Sequence, residues 1–202
     1  MKKQSFFLAA FALSVTLFAS CSKKDDDQPA PTPPPVTPPA NTIVANTYNN
    51  LDADVAGKGS FTLFSIAENK IIPNSDSATT KWDIGFRATT IIVNGGTSGP
   101  GQAAAQVTTG VYNNLYIAPE AGYATDGPTK AITGWYSYNM DTHLISPVAG
   151  KFFVIKTANG KYAKLEVFSY YKDAPSPANP TAPSRYYSFR YVYQADGSRN
   201  FK

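Results

Sequence analysis

The chain has 202 residues, of which 13% are aromatic and 16% are charged, and this composition excludes a disordered chain and is typical of a globular β domain. The formal net charge is +4, and it falls to about +2 once Lys2 and Lys3 are removed with a leader. No basic face stands out, so the charge gives no support for a nucleic-acid partner.

The first predicted element is a signal peptide over residues 1–20. Two lysines give it a basic start, and Phe6–Phe18 is an apolar stretch too short to span a membrane. Two small residues then precede Cys21, the single cysteine, in an arrangement that resembles a bacterial lipobox. The resemblance implies lipidation of Cys21 and contact with the membrane by this lipid anchor only. An ordinary secretory leader with an incidental cysteine is the alternative.

Residues 21–40 are predicted to be a tether. The charged run Lys23–Asp27 resembles the export signal that places lipoproteins on the cell-surface face of the outer membrane; a simple solvated tether is the alternative. Gln28–Ala40 contains seven prolines, which favour a semi-rigid polyproline II spacer. The remaining residues, 41–202, are long enough to form one domain with a substantial core.

The first half of this domain is predicted to contain strands over Thr42–Tyr48 and Phe61–Ile66. Trp82–Val93 is predicted to be one long strand or two short ones. The glycine-rich segment Asn94–Gly101 lacks the lysine of a phosphate-binding loop, so we interpret it as a hairpin connection. Gln102–Thr109 is rich in alanine and fits a strand or a helix.

The middle of the domain is less regular. Val111–Ile117 is predicted to be a strand, and Pro119–Lys130 to be a long loop because glycine and proline interrupt it. Trp135–Asn139 is predicted to be a strand that ends near Met140.

The clearest pattern is a hairpin of two strands, Phe152–Lys156 and Tyr162–Tyr171. The Asn159-Gly160 pair between them tolerates the positive φ angles of a tight turn. Alternate residues from Ala163 to Ser169 form one face of the second strand. In Tyr186–Tyr193, alternation places four aromatic rings on one face. The predicted fold class is therefore all-β, an antiparallel sandwich.

No catalytic residues can be assigned, and we do not expect an enzyme. His143 is the only histidine, and the nucleophile-elbow motif Gly-x-Ser-x-Gly is absent from the sequence. A catalytic zinc site normally needs two or three histidines. Carboxylates are present, but nothing singles out a pair for glycoside cleavage.

Binding chemistry is more plausible near the predicted strand end. Met140 and His143 offer ligand types that suit haem iron. They follow the aromatic residues Trp135, Tyr136 and Tyr138, whose rings can form a slot for a flat macrocycle. The alternatives are a gap-filling core role for Met140 and a solvated loop position for His143.

Three blocks of the domain resemble the HmuY family of haem-binding surface lipoproteins. They are Lys81–Arg87 running on to Asn94–Gly99, the segment that starts at Gly134-Trp135, and the hairpin up to Asp173 followed by Tyr186–Tyr193. The resemblance implies an all-β, partly barrel-like sandwich that binds haem at one side. It also implies a haemophore-like role, in which haem is captured for a TonB-dependent outer-membrane receptor.

The resemblance carries the iron ligands over only in part. Met140 stands where the best-known members have their second histidine, and no histidine or methionine is available for the first ligand between Phe61 and Gly134. Two readings remain: haem bound through Met140 or His143 with a weak partner, or loss of haem binding in favour of a glycan or protein partner. In the first reading, Trp82 and Arg87 line the pocket and Arg87 pairs with a haem propionate. No metal other than haem iron is expected.

Overall fold

The computed structural model describes residues 43–54 and 59–202, which lie within one compact unit, Pro38–Lys202. The predicted signal peptide, Cys21 and the tether lie outside these described residues. In the part of the chain that is described, no helix has the length and apolar character needed to cross a membrane.

The described residues form eleven strands and two short 3-10 turns, so the predicted all-β fold is confirmed. In chain order the strands are β1 (Ile43–Asp52), β2 (Thr62–Ser65), β3 (Lys70–Ile72), β4 (Ile84–Arg87), β5 (Thr90–Val93), β6 (Ala104–Thr109), β7 (Tyr136–Tyr138), β8 (Ile145–Pro147), β9 (Lys151–Lys156), β10 (Tyr162–Tyr171) and β11 (Ser184–Gln194).

All strand pairs are antiparallel. A five-stranded sheet has the order β1-β11-β10-β9-β6, and a four-stranded sheet has the order β3-β2-β4-β5. Strands β7 and β8 form a separate two-stranded hairpin. Side chains from both larger sheets share one hydrophobic core, which is the arrangement of a β-sandwich.

The hairpin β9–β10 forms with almost the predicted bounds. Ile155 pairs with Ala163 and Phe153 with Leu165, so the alternating face of β10 lies against the core. In the turn, Gly160 has φ +79°, and its N–H donates to the Thr157 carbonyl. In this turn Gly160 has a positive φ and Asn159 does not, so the turn depends on the glycine and not on the asparagine.

The core between the sheets is built from aromatic rings. As predicted, alternate residues of β11 from Tyr187 to Tyr193 are buried. The Phe189 ring lies 5.3 Å from Phe64 and 5.5 Å from Phe86, measured between ring centroids. These contacts join β11 to β2 and β4, so aromatic packing connects the two sheets.

A second hydrophobic cluster covers part of the outer face of the five-stranded sheet. It contains Phe152 and Val154 of β9 together with Tyr112, Ala118 and Phe201. Because β9 is buried on both faces, its apolar residues are consecutive rather than alternating.

One prediction for the covering segments was wrong. Residues 111–117, predicted to be a strand, contain the 3-10 turn Tyr112–Asn114. Phe201 also belongs to this cover, and it is buried without belonging to a strand. The Lys164 ammonium donates to the carbonyls of Tyr112 and Leu115, and burial lowers its pKa. A cation on β10 therefore fixes the irregular segment that covers the sheet.

Three other sequence predictions are now resolved. Trp82–Val93 contains two short strands, with a turn at which Ala88 has φ +47°. Gln102–Thr109 contains a strand, not a helix. Asn94–Gly101 is not a hairpin connection, because β5 and β6 belong to different sheets. This segment instead carries the chain from one layer of the sandwich to the other.

Candidate functional site

The candidate ligand residues lie at the tip of the β7–β8 hairpin. Tyr138 pairs with Ile145, and beyond this pair the Asn139 N–H donates to the Leu144 carbonyl at 2.9 Å. The Asn139 side chain oxygen accepts the N–H groups of Asp141 and Thr142, each at 2.9 Å. An asparagine side chain thus closes a short loop, which we call the hairpin tip (residues 139–144).

His143 is held in a defined orientation at this tip. Its backbone has φ +57°, and its Nδ1 lies 2.5 Å from the Tyr138 hydroxyl. Both side chains are exposed, and Tyr138 retains 51% of its accessible surface. Nε2 of His143 has no partner in the described hydrogen bonds, so it is the ring nitrogen available for an external ligand.

Met140 is also exposed, with 79% of its surface accessible to solvent. Met140 is therefore not a gap-filling residue of the core, which was the alternative interpretation. Because the side chain is exposed, its thioether is accessible to an external ligand at the tip. The same exposure means that Met140 gains little hydrophobic free energy from folding.

The predicted aromatic residues divide between the core and the hairpin. Trp135 is buried, and its indole Nε1 donates to the Thr89 carbonyl at 3.0 Å. Its ring lies 5.0 Å from that of Tyr136 and 5.3 Å from that of Tyr187. Trp135 thus anchors the base of the hairpin in the core.

A cavity of about 240 Å³ adjoins the base of this hairpin. It lies beside the β4–β5 turn, and its lining residues are Thr89, Thr90, Lys130, Ile132, Thr133, Gly134, Trp135 and Tyr136. The threonines and Lys130 were not singled out from the sequence, because their proximity depends on the long loop before β7 returning to β5.

The contacts that the structure shows for Trp82 and Arg87 are with other parts of the domain. Trp82 is fully buried in a different cluster, and its indole nitrogen donates to the Ser77 carbonyl. Arg87 is exposed, with its guanidinium 4.4 Å from the Phe61 ring and one nitrogen donating to the Gly59 carbonyl. The structure therefore brings Trp135 and Tyr136 together, and Tyr138 and His143 together, but it buries Trp82 elsewhere.

Asp83, which lies in the segment Lys81–Arg87, is a buried carboxylate with a structural role. Asp83 accepts the Ile66 N–H at 2.8 Å with Oδ2 and the Ala158 N–H at 2.9 Å with Oδ1. Ile66 follows β2, and Ala158 lies in the β9–β10 turn, so one side chain joins the two sheets. Burial raises the pKa of Asp83 to about 6, since removing the carboxylate from water outweighs the two N–H donors.

Asn94 and Asp126 extend this buried polar frame. Asn94 donates to the carbonyls of Thr79 and Trp82, and its side chain oxygen accepts the Gly101 N–H. Asp126 accepts the N–H groups of Val93 and Ala131. Both side chains are buried. They replace missing backbone partners where the chain is irregular, so both residues have a structural role.

The hairpin tip carries two side chains, His143 and Met140, of the types that bind haem iron. A histidine with one ring nitrogen held by a hydroxyl and a neutral thioether are both established axial ligand classes. Met140 and His143 are both exposed, so these two candidate ligands lie at the surface of the described domain. No cluster of three or more His, Cys, Asp or Glu side chains suited to a metal ion occurs among the described residues.

Comparison with known proteins identifies one family. The model of the HmuY protein family matches residues 58–191. No match was found among curated proteins.

Several solved structures share the fold. An apo HmuY analogue of Tannerella forsythia superposes with a TM-score of 0.52 at 15% identity, covering 76% of this chain and 97% of its own. A Bacteroides vulgatus protein, described as a candidate HmuY-like haem-binding protein, gives 0.50 at 15% identity, covering 78% and 95%. A candidate lipoprotein of Bacteroides fragilis gives 0.52 at 13% identity, covering 78% and 92%.

Proposed function

Because the chain belongs to the HmuY family, we propose that it is a surface-anchored, haemophore-like binding protein and not an enzyme. In this proposal, Cys21 carries the lipid anchor at the outer membrane. The domain captures haem and passes it to an outer-membrane receptor of the TonB-dependent class. The observation that carries the proposal is the exposed pairing of His143 and Tyr138, beside Met140, on a hairpin of a HmuY-family domain.

The three side chains at the tip have separate roles in the proposal. His143 binds iron through Nε2, which requires the tautomer with a proton on Nδ1. In that tautomer Nδ1–H donates to the Tyr138 oxygen, and this bond fixes the ring and increases its basicity as a ligand. Met140 supplies a soft, neutral sulfur ligand, which favours ferrous over ferric iron.

A haemin titration of the chain from Ser22 tests this function. We expect a saturable one-to-one shift of the Soret band, with tighter binding after reduction by dithionite. Met140→Ala and His143→Ala should each weaken binding by about tenfold or more, the equivalent of about 1.4 kcal/mol. Thr142→Ala is the matched control, because it lies in the same loop and carries no iron ligand.

The outcome of the titration decides between clear alternatives. No saturable shift in either redox state would show that this domain does not bind haem. A normal shift in both Met140→Ala and His143→Ala would show that haem binds elsewhere than the hairpin tip.

The lipid anchor is tested by a separate measurement. Cells that express the chain and grow with labelled palmitate should incorporate the label into the protein, and Cys21→Ser should abolish it. Protease added to intact cells should degrade the wild-type domain if it faces the exterior. Equal labelling of wild type and Cys21→Ser, or full protection from protease, would contradict surface anchoring.

A further inference from the structure

A cleft beside the middle of β10, beyond the end of its pairing with β9, has no role in the proposed haem site. The β9–β10 ladder ends at the pair Phe153–Leu165. Strand β9 continues beside β6 as far as Lys151, whereas β10 continues beside β11 as far as Tyr171. The two strands therefore diverge, and the gap between them opens a cavity of about 530 Å³, which we call the fork cleft.

The fork cleft has two walls. One runs from the last residue of β8 to the first residue of β9, with lining residues Pro147, Val148, Ala149, Gly150 and Lys151. The other consists of Glu166, Val167, Phe168 and Arg190 of β10 and β11. The volume is in the range of small-molecule sites. No histidine, methionine, cysteine or tyrosine lines it, so it provides none of the usual protein ligands of haem iron.

Phe168 is an exposed aromatic ring in this cleft. The register between β10 and β11 shifts between Val167 and Ser169, so Phe168 is the extra residue of a β-bulge. It retains 45% of its surface, while its neighbours Val167 and Ser169 are buried. Bulges are common beside binding sites, and Phe168 lines the cleft from the outer face of β10, opposite the face that carries Leu165 and Val167 into the core.

The cleft is lined by charged side chains of both signs, and hydrogen bonds hold them in place. Two guanidinium nitrogens of Arg190 lie 2.7 Å and 2.6 Å from the Glu166 carboxylate. The other side of the guanidinium contacts the Tyr112 ring, with its carbon 4.5 Å from the centroid. The Lys151 ammonium donates to the neutral Gly134 carbonyl and belongs to none of the ion pairs among the described residues. The three charged residues that line the cleft, Lys151, Glu166 and Arg190, therefore have a net charge of +1.

These features restrict the ligand chemistry. A purely apolar ligand would remove water from the Glu166–Arg190 ion pair and from Lys151 without replacing the hydrogen bonds that water makes to them, which costs free energy. A compact inorganic anion would leave the Phe168 ring without an apolar partner and would be repelled by Glu166. A ligand with an apolar ring face, several hydroxyl groups and one carboxylate satisfies all the groups at once.

We infer that the fork cleft binds an acidic sugar, stacked on Phe168, with hydroxyl groups bonded to Glu166 and Arg190 and its carboxylate on Lys151. Uronic and sialic acids have this combination of groups. The site is independent of the hairpin tip and does not rest on haem binding.

Ligand-observed NMR and calorimetry test the site, with D-glucuronate and N-acetylneuraminate as probes and D-glucose as the neutral comparison. At least one acidic sugar should bind saturably and more tightly than glucose. Phe168→Ala should weaken this binding about tenfold through the lost stacking. Tyr116→Ala is the matched control, because Tyr116 is 44% exposed but lies outside the cleft.

Lys151→Gln tests the charge contact separately. It should weaken binding of the acidic sugar about tenfold and leave the weaker glucose binding unchanged. Thermal unfolding of each variant should match the wild type, which establishes that the fold is intact. Haemin titration of Phe168→Ala should also match the wild type.

Three results would overturn the inference. They are no saturable binding of either acidic sugar, binding that Phe168→Ala leaves intact, and loss of haem binding together with sugar binding in a folded Phe168→Ala variant. The last result would mean that the cleft is part of a haem site.

Discussion

Gly96→Ala should lower the free energy of unfolding by roughly 2–5 kcal/mol, from backbone strain and steric overlap together. Gly96 has φ +61°, and a Cβ atom there would stand 1.9 Å from the Asp126 carbonyl oxygen. The same carbonyl accepts the Thr97 N–H, and the Asp126 side chain holds Val93 and Ala131. Moving Asp126 aside would therefore break several buried hydrogen bonds at once.

Chemical denaturation at neutral pH measures this effect, with Gly127→Ala as the matched control. Gly127 lies one residue after Asp126, has no positive φ, and has open space where a Cβ would be placed. We expect Gly127→Ala to change stability by less than about 1 kcal/mol. Equal stability of the Gly96 and Gly127 variants would contradict the close packing between the glycine-rich segment and the loop before β7.

The second large effect is a pH dependence that originates at Asp83. Its pKa is raised from 3.8 to about 6, so the folded state binds the proton more tightly than the unfolded state. Stability from this group is therefore present below about pH 4 and is lost as the pH rises through 6. The loss is on the order of 3 kcal/mol, which follows from about 1.4 kcal/mol for each unit.

The measurement compares unfolding free energies of the wild type and Asp83→Asn between pH 4 and 7.5. Asparagine has the same shape and no ionisable proton, so its profile should lack the fall that Asp83 contributes. The difference between the two profiles isolates Asp83 from the other carboxylates. Asp141→Asn, at the exposed hairpin tip, controls for the change in net charge. Parallel profiles for wild type and Asp83→Asn would show that the Asp83 proton is not linked to folding.

Local patterns in the sequence were enough to predict the strands that have one buried face. In β10 and β11 the alternation of side chains follows directly from the pleat of an extended chain, so Leu165 and Phe189 could be placed in the core without any tertiary information. The β9–β10 turn could also be predicted from local sequence, because its positive φ angle requires only that glycine stands at position 160.

Segments stabilised by distant partners could not be predicted in this way. Residues 111–117 have the composition of a strand, but Lys164 of β10 and the contact with Phe201 hold them in an irregular conformation. The interpretation of Asn94–Gly101 as a hairpin connection was wrong for the same reason. Asp126 and Asn94 determine its path, and neither partner is apparent from local spacing.

From the sequence alone we could predict the ligand types at the candidate site: one histidine, one methionine outside the predicted signal peptide, and a nearby set of aromatic rings. The sequence also determined the family resemblance, which the family model confirmed. It did not determine that His143 pairs with Tyr138, nor that Trp82 is buried away from Trp135.

Those placements, and the fork cleft itself, depend on tertiary contacts. The cleft arises where β9 follows β6 and β10 follows β11 beyond Leu165, so its walls come from strands whose pairing partners differ. Which strands pair depends on the free energy of the whole core, and therefore on residues that are distant in the sequence. Periodicity reports which face of a strand is buried, but it contains no information about which strands lie beside it or where they separate.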